Sequence, residues 1–116
     1  MNIQRHDVGP RMSKAVVHRD TVYLAGIVAE APKGKIMAEQ TKSILSQIDG
    51  FLAQAGTDKS KLLSANIWIT DMAKFAEMNA VWDAWVSPGN TPARATVEAK
   101  LASPDYVVEI MVVAAR

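Results

Sequence analysis

Hydrophobic positions along the chain follow two rhythms, and the points where one gives way to the other predict the order of elements. Leu63, Ala65, Ile67 and Ile69 alternate with Ser64, Asn66, Trp68 and Thr70, a period of two that predicts a strand with one apolar face over 62–70. Upstream, Ala15-Val16-Val17-His18 and Thr21-Val22-Tyr23-Leu24-Ala25 read as two strands of a hairpin, divided by the polar pair Arg19-Asp20. Pro32 and Gly34 then mark a loop. From about Met37 the period lengthens: Ile44, Leu45, Ile48, Phe51, Leu52 and Ala55 recur at helical spacing, and Gly56 follows where a left-handed cap is wanted. A second helix carries the stripe Phe75, Met78, Trp82 and Trp85, opens near a Thr70 or Asp71 cap and is stopped by Pro88-Gly89. Two strands, Arg94 to Leu101 and Tyr106 to Ala114, close the chain around the turn-like Ala102-Ser103-Pro104-Asp105.

Strand pair, helix, strand, helix, strand pair is the order of an α+β sandwich with two helices on one sheet face. The last strand adds a demand. Val107, Val108, Ile110, Met111, Val112, Val113 and Ala114 are apolar at both parities, which predicts burial on both faces. Two helices cover one face, so a homo-oligomer is expected to cover the other. With 116 residues, 49% of them apolar, the chain fits a single domain over 1–116. Thirteen Lys and Arg against twelve Asp and Glu give a net charge of +1, spread without a basic field, which argues against nucleic acid and anionic membrane surfaces as partners. Absent cysteines exclude a disulfide framework, and no apolar run reaches bilayer length. Met1-Asn2-Ile3-Gln4-Arg5-His6-Asp7 lacks a signal-peptide core, so a cytoplasmic protein is expected.

Candidate chemistry narrows quickly. His6 and His18, the only histidines, lie on separate segments without cysteine partners, which suits surface or strand-edge positions and no metal site. Phosphate-cradling glycine motifs and a Gly-x-Ser-x-Gly elbow are both missing. Trp68, Trp82 and Trp85 could stack a flat ligand, but Trp82 and Trp85 fall on the apolar stripe of their own helix, which favours core packing. Asn79, beside that stripe, reads as a solvated helix residue. Gly26 inside Leu24-Ala25-Gly26-Ile27-Val28 marks either a bulge or a close approach by a ligand. Arg94 and Glu109 are charges placed in strands that should be buried. Either they pair with each other, or Arg94 sits at a solvated strand start, or Arg94 grips the carboxylate of a small molecule with two parallel hydrogen bonds.

Six segments carry a resemblance that bears on these alternatives: Met12-Ser13-Lys14-Ala15-Val16, Leu24-Ala25-Gly26, Asp71-Met72-x-x-Phe75, Met78-Asn79-x-x-Trp82, Pro92-Ala93-Arg94-Ala95-Thr96-Val97 and Val108-Glu109-Ile110. Together they cover nearly the whole chain, which resembles the Rid (YjgF) family of reactive intermediate deaminases. The resemblance implies a chorismate-mutase-like α+β domain with a mixed sheet, assembled as a homotrimer with ligand clefts between subunits. It implies hydrolysis of 2-imino acids or their enamine tautomers to 2-keto acids and ammonia, without a cofactor. Arg94 would hold the substrate carboxylate, main-chain groups around Thr96 would help to place a water, and Gly26 and Asn79 would line the cleft.

Two positions depart from the family pattern. Met12 stands where typical members carry tyrosine, and Met111 where they carry a glutamate thought to orient the attacking water. Glu109, two residues earlier on the same strand face, is roughly 7 Å away by strand rise, too far to replace it without rearrangement. The two methionines point to a divergent subgroup with a less polar pocket, or alternatively to a non-catalytic binder of small carboxylates that acts as a sensor or modulates a partner. Ribonuclease activity, ascribed to some relatives, finds no basic and aromatic surface segment to support it.

Overall fold

The alternating segment at the centre of the chain does become a strand, and the rest of the sheet is arranged around it. In the computed structural model, which describes residues 2–116, the order is β1 (Ile3–Val8), β2 (Ser13–His18), β3 (Thr21–Leu24), α1 (Met37–Gln54), β4 (Leu62–Ile69), α2 (Phe75–Trp85), β5 (Ala93–Glu98) and β6 (Val108–Ala115). The strands form one mixed sheet in the order β1-β2-β3-β6-β4-β5. Its pairings are antiparallel except β4 with β5, which run parallel and are joined by α2 as the crossover. Both helices pack on the same sheet face. The expected α+β architecture is therefore the one observed.

The first helix is held as its pattern requires. Met37, Gln40, Thr41, Ile44, Leu45, Ile48 and Leu52 form its buried stripe against the sheet. Its end is a Schellman cap: Gly56 has φ +84, its N–H donates to Ala53, and the Thr57 N–H donates to Leu52. Arg19 in the β2–β3 turn also adopts positive φ, at 56°, closing the hairpin read around Arg19-Asp20.

Three features differ from the sequence reading. Strand β1 was not expected, because Ile3–Val8 is an edge strand with almost every residue exposed and so carries no alternation to read. The last two strands are displaced at their ends: β5 stops at Glu98 and β6 starts at Val108. Most consequentially, β6 is buried on one face only within the chain. Val108, Ile110, Val112 and Ala114 are buried under the helices, whereas Glu109, Met111, Val113 and Ala115 are half-buried on the opposite face. The molecule is a slab 20 Å thick, the depth of one sheet and one helix layer. Val16, Tyr23 and Val113 form a cross-strand row on the open face, and Tyr23 is 47% exposed.

A buried glutamine ties the two long loops to the first helix, a role no apolar periodicity could announce. Gln40 is 2% exposed; its Nε2 donates to the carbonyls of Asp105 at 2.8 Å and Gly34 at 3.2 Å, and its Oε1 accepts from the Val107 N–H at 2.9 Å. Replacing it with leucine leaves those backbone groups without partners. Gln40→Leu is expected to lower unfolding stability by about 2–4 kcal/mol in a denaturant titration, despite the added apolar surface.

Candidate functional site

Register decides which way each candidate side chain faces. On β5, Arg94 pairs with Ala65 and Thr96 with Ile67. Ala65 and Ile67 are both 1% exposed beneath the helices, so Arg94 and Thr96 point to the same side, into the seam under α2. The Arg94 guanidinium carbon lies 5.3 Å from the ring centre of Trp82 and 5.9 Å from that of Phe75. Phe75, Asn79 and Trp82 follow one another at spacings of four and three, which puts Asn79 between the two rings on one helix face. Two polar atoms in this seam, Asn79 Oδ1 and Thr96 Oγ1, are buried with no protein partner.

The arrangement has a chemical meaning. Aromatic faces attract a guanidinium through its broad face, leaving the in-plane N–H groups to meet a planar acid. Trp82 is 4% exposed, so this attraction acts in a largely dry setting. Arg94 itself is half-buried, on β5, an edge strand of the sheet.

The other candidates lie across the sheet. Glu109 pairs with Trp68 and Met111 with Asn66, all on the open face. Gly26 belongs there too. Between the pair Tyr23–Val113 and the bridge Ile27–Ile110, one strand advances four residues and the other three, so the glycine sits in a bulge. A Cβ at position 26 would run into the Glu109 carboxylate oxygen Oε2 and lie 3.1 Å from its Cδ. The bulge reading of Gly26 is the one observed, and within the chain the group that approaches it is the Glu109 side chain. Met12, 49% exposed, lies just before β2 and accepts a hydrogen bond from the Gly9 N–H.

Several expectations change. Arg94 and Glu109 do not pair, since they are on opposite faces with β4 between their strands. Asn79 is not a solvated helix residue: it is half-buried with its amide oxygen enclosed. The histidines take the strand-edge positions expected, His6 on the edge strand β1 and His18 at the end of β2; both are half-buried, and each encloses its Nε2 without a protein partner. Trp82 is core as expected, but it is also a seat for Arg94, a role the sequence reading missed although the stripe and the arginine were both in view. Trp85 is half-buried, and its indole N–H donates to Asp49 at 3.1 Å. Among the described residues, no group of three or more His, Cys, Asp or Glu could hold a metal ion, and no helix is long and apolar enough to cross a membrane. In a single chain, then, Arg94, Asn79 and Thr96 come together, while Gly26 and Met111 occupy the reverse face.

Comparison with known proteins gives a consistent picture. The family model described as endoribonuclease L-PSP matches residues 4–116. The RutC family protein YoaB of Escherichia coli (strain K12) is 44% identical over 115 residues, covering 99% of this chain and 99% of YoaB. Among solved structures, NMB1025 of Neisseria meningitidis, a member of the YjgF protein family, superposes with a TM-score of 0.96 at 48% identity, covering 100% of this chain and 96% of that one. YyfA of Yersinia pestis, from the conserved Rid protein family, superposes with a TM-score of 0.86 at 30% identity over 94% of this chain and 90% of its own.

The contact between Gly26 and Glu109 yields a sign test. Gly26→Ala forces the carboxylate aside and is expected to cost about 1 kcal/mol of stability. In a Glu109→Ala background the obstacle is gone and the backbone needs no positive φ, so the same change should stabilise by about 0.4–1 kcal/mol. Paired denaturant titrations measure both values, and additive effects would show that the contact is not made.

Proposed function

The chain belongs to the endoribonuclease L-PSP family, with the YjgF and Rid proteins among its relatives, and from that premise we propose that it hydrolyses reactive 2-imino acids and their enamine tautomers to 2-keto acids and ammonia. The observation that carries this reading is the Arg94 seat: a half-buried guanidinium held on two aromatic rings, in a seam where Asn79 Oδ1 and Thr96 Oγ1 also lack partners. A carboxylate is the group that such a guanidinium suits. In the proposed reaction water adds to C2 of the imine, the C=N electron pair passes to nitrogen, and collapse of the tetrahedral adduct expels ammonia. An imine carbon is already electrophilic, so binding, orientation and fixed dipoles supply the acceleration, with neither a covalent nucleophile nor a cofactor.

The reading includes a homotrimer with clefts between subunits and places the protein in the cytoplasm. Two features support the assembly. The open sheet face carries Val16, Tyr23, Met111, Val113 and Val97, an apolar surface that a second copy can cover. Gly26 and Met111 can also line one cleft with Arg94 only if they come from a neighbouring subunit, because within a chain the sheet stands between them. Sedimentation at micromolar concentration should give a trimer; a monomer would remove the shared cleft.

Met12 and Met111 favour a second reading, a non-catalytic binder of small carboxylates that senses a metabolite or modulates a partner. Both readings require Arg94, and turnover separates them. With imines generated in situ by an amino acid oxidase, the wild type should accelerate keto acid appearance, and Arg94→Ala should reduce that acceleration by at least about 100-fold, the loss expected from two charge-assisted hydrogen bonds. Equal rates for wild type and variant would exclude the Arg94 assignment. Ligand-dependent thermal stabilisation that needs Arg94, with no turnover above the spontaneous rate, would establish the binder instead.

A further inference from the structure

The outer side of the helix layer carries a groove that the reaction proposed above does not use. It runs between α1 and α2, has a volume of about 460 Å³ and is floored by the buried Leu45. Small-molecule sites typically enclose roughly 300–1,000 Å³. Ala80 and Ala84, one turn apart on α2, line the groove and leave open a space that longer side chains would fill. Trp85 forms a wall that is already fixed, because its indole N–H is held by Asp49 and its ring packs on Trp82 with centres 5.4 Å apart.

The charges around this groove are not balanced against each other. Asp49 lines it, yet both of its carboxylate oxygens accept from the Trp85 indole N–H, each at 3.1 Å. Asp58, next to Lys59 in the chain, serves its own short turn, where Oδ1 accepts from the Ser60 N–H at 2.8 Å and from the Ser60 hydroxyl. The half-buried Lys59 is left with its ammonium 5.2 Å from the centre of the Trp85 ring, and among the described residues no ion pair takes it up. A ring holds a cation less strongly than an acid does, so an arriving anion gains this ammonium without breaking an ion pair.

We propose that the groove is a second small-molecule site, which binds monocarboxylates with an apolar body, the carboxylate on Lys59 and the body along Leu45, Ala80 and Ala84. A single negative charge is the fit. Lys42 adds only an exposed cation at the rim, and Asp49 opposes the further charges that a phosphate would bring. The site is separate from the Arg94 seam, since Lys59 lies on Trp85 and Arg94 on Trp82, and it does not rest on the reading of Arg94. It also faces away from the open sheet face, so a copy covering that face leaves it accessible.

Phenylacetate, phenylacetamide and acetate test both halves of the claim. The first has charge and ring, the second a ring without charge, the third charge without a ring. They are titrated by NMR into the Arg94→Ala protein, so that no carboxylate held by Arg94 contributes. Phenylacetate should shift the Trp85 indole N–H signal, identified by its absence in Trp85→Phe, and should bind at least about tenfold more tightly than either of the others. In that background Lys59→Gln should weaken phenylacetate at least about tenfold and change phenylacetamide by less than about twofold. Ala84→Phe, at an exposed helix position, fills the groove and should abolish the shift. Equal affinity for phenylacetate and phenylacetamide overturns the inference, as does phenylacetate binding that survives either variant. A Trp85 signal that responds to protein concentration but to none of the three ligands makes the groove a contact between copies and overturns it too.

Discussion

Period two along a strand and fixed register between strands leave each side chain a single choice of face, and in this chain the parallel pairing of β4 with β5 makes that choice for the candidate site. Ala65 must face the helices because it is apolar and wholly buried, and Arg94 stands beside it in register. A slip of one residue would send Arg94 and Thr96 to the open face and bring Ala93, Ala95 and Val97 under α2. Because α2 is the crossover between these two strands, its aromatic stripe necessarily lies over the pair it connects. The meeting of Arg94 with Phe75 and Trp82 thus follows from topology rather than from any local motif.

Why the guanidinium sits on rings instead of a carboxylate is a matter of competing magnitudes. A cation–π contact is worth roughly 0.5–2 kcal/mol, whereas each charge-assisted hydrogen bond to an acid is worth roughly 1.5–3 kcal/mol. A carboxylate from the chain itself would therefore outcompete a ligand at close range and quench the site. Glu98, which shares this face of β5, is engaged by the Met72 N–H at 3.0 Å. Glu109 is across the sheet. Aromatic seating stabilises the arginine enough to orient it and leaves the larger interaction to an incoming acid.

How far the sequence disclosed all this depends on the kind of signal. Helical and strand periods gave both helices and five strands, because burial of one face writes itself into the apolar pattern. The edge strand Ile3–Val8 buries no face in the chain, so its residues showed no such pattern. Arg94 was conspicuous as a charge in an apolar strand, and Gly26 as a glycine within an apolar run. Helical spacing alone reads Asn79 as solvated, because it locates a residue on a wheel without saying what stands opposite; β5, which stands opposite, comes after it in the chain. Gln40 gave no signal, since a buried polar residue is recognised by partners at 105 and 107 that only the fold brings near.

Strand arithmetic fixes only the backbone at Glu109. Two steps of rise separate its Cα from that of Met111, and the direction of the long side chain is set by what stands beside it. A glutamate carboxylate stands several bonds from its own Cα, and here it leans over Gly26, the residue before Ile27 in the bridge to Ile110. That lean carries the charge along the sheet toward the level of Met111. It is permitted only because position 26 has no side chain. The missing Cβ at Gly26 and the placement of the acid at Glu109 are consequently one feature, written at two positions 83 residues apart in the chain. Neither residue can be interpreted alone, because a side chain at 26 would move the carboxylate that now occupies the space of its Cβ.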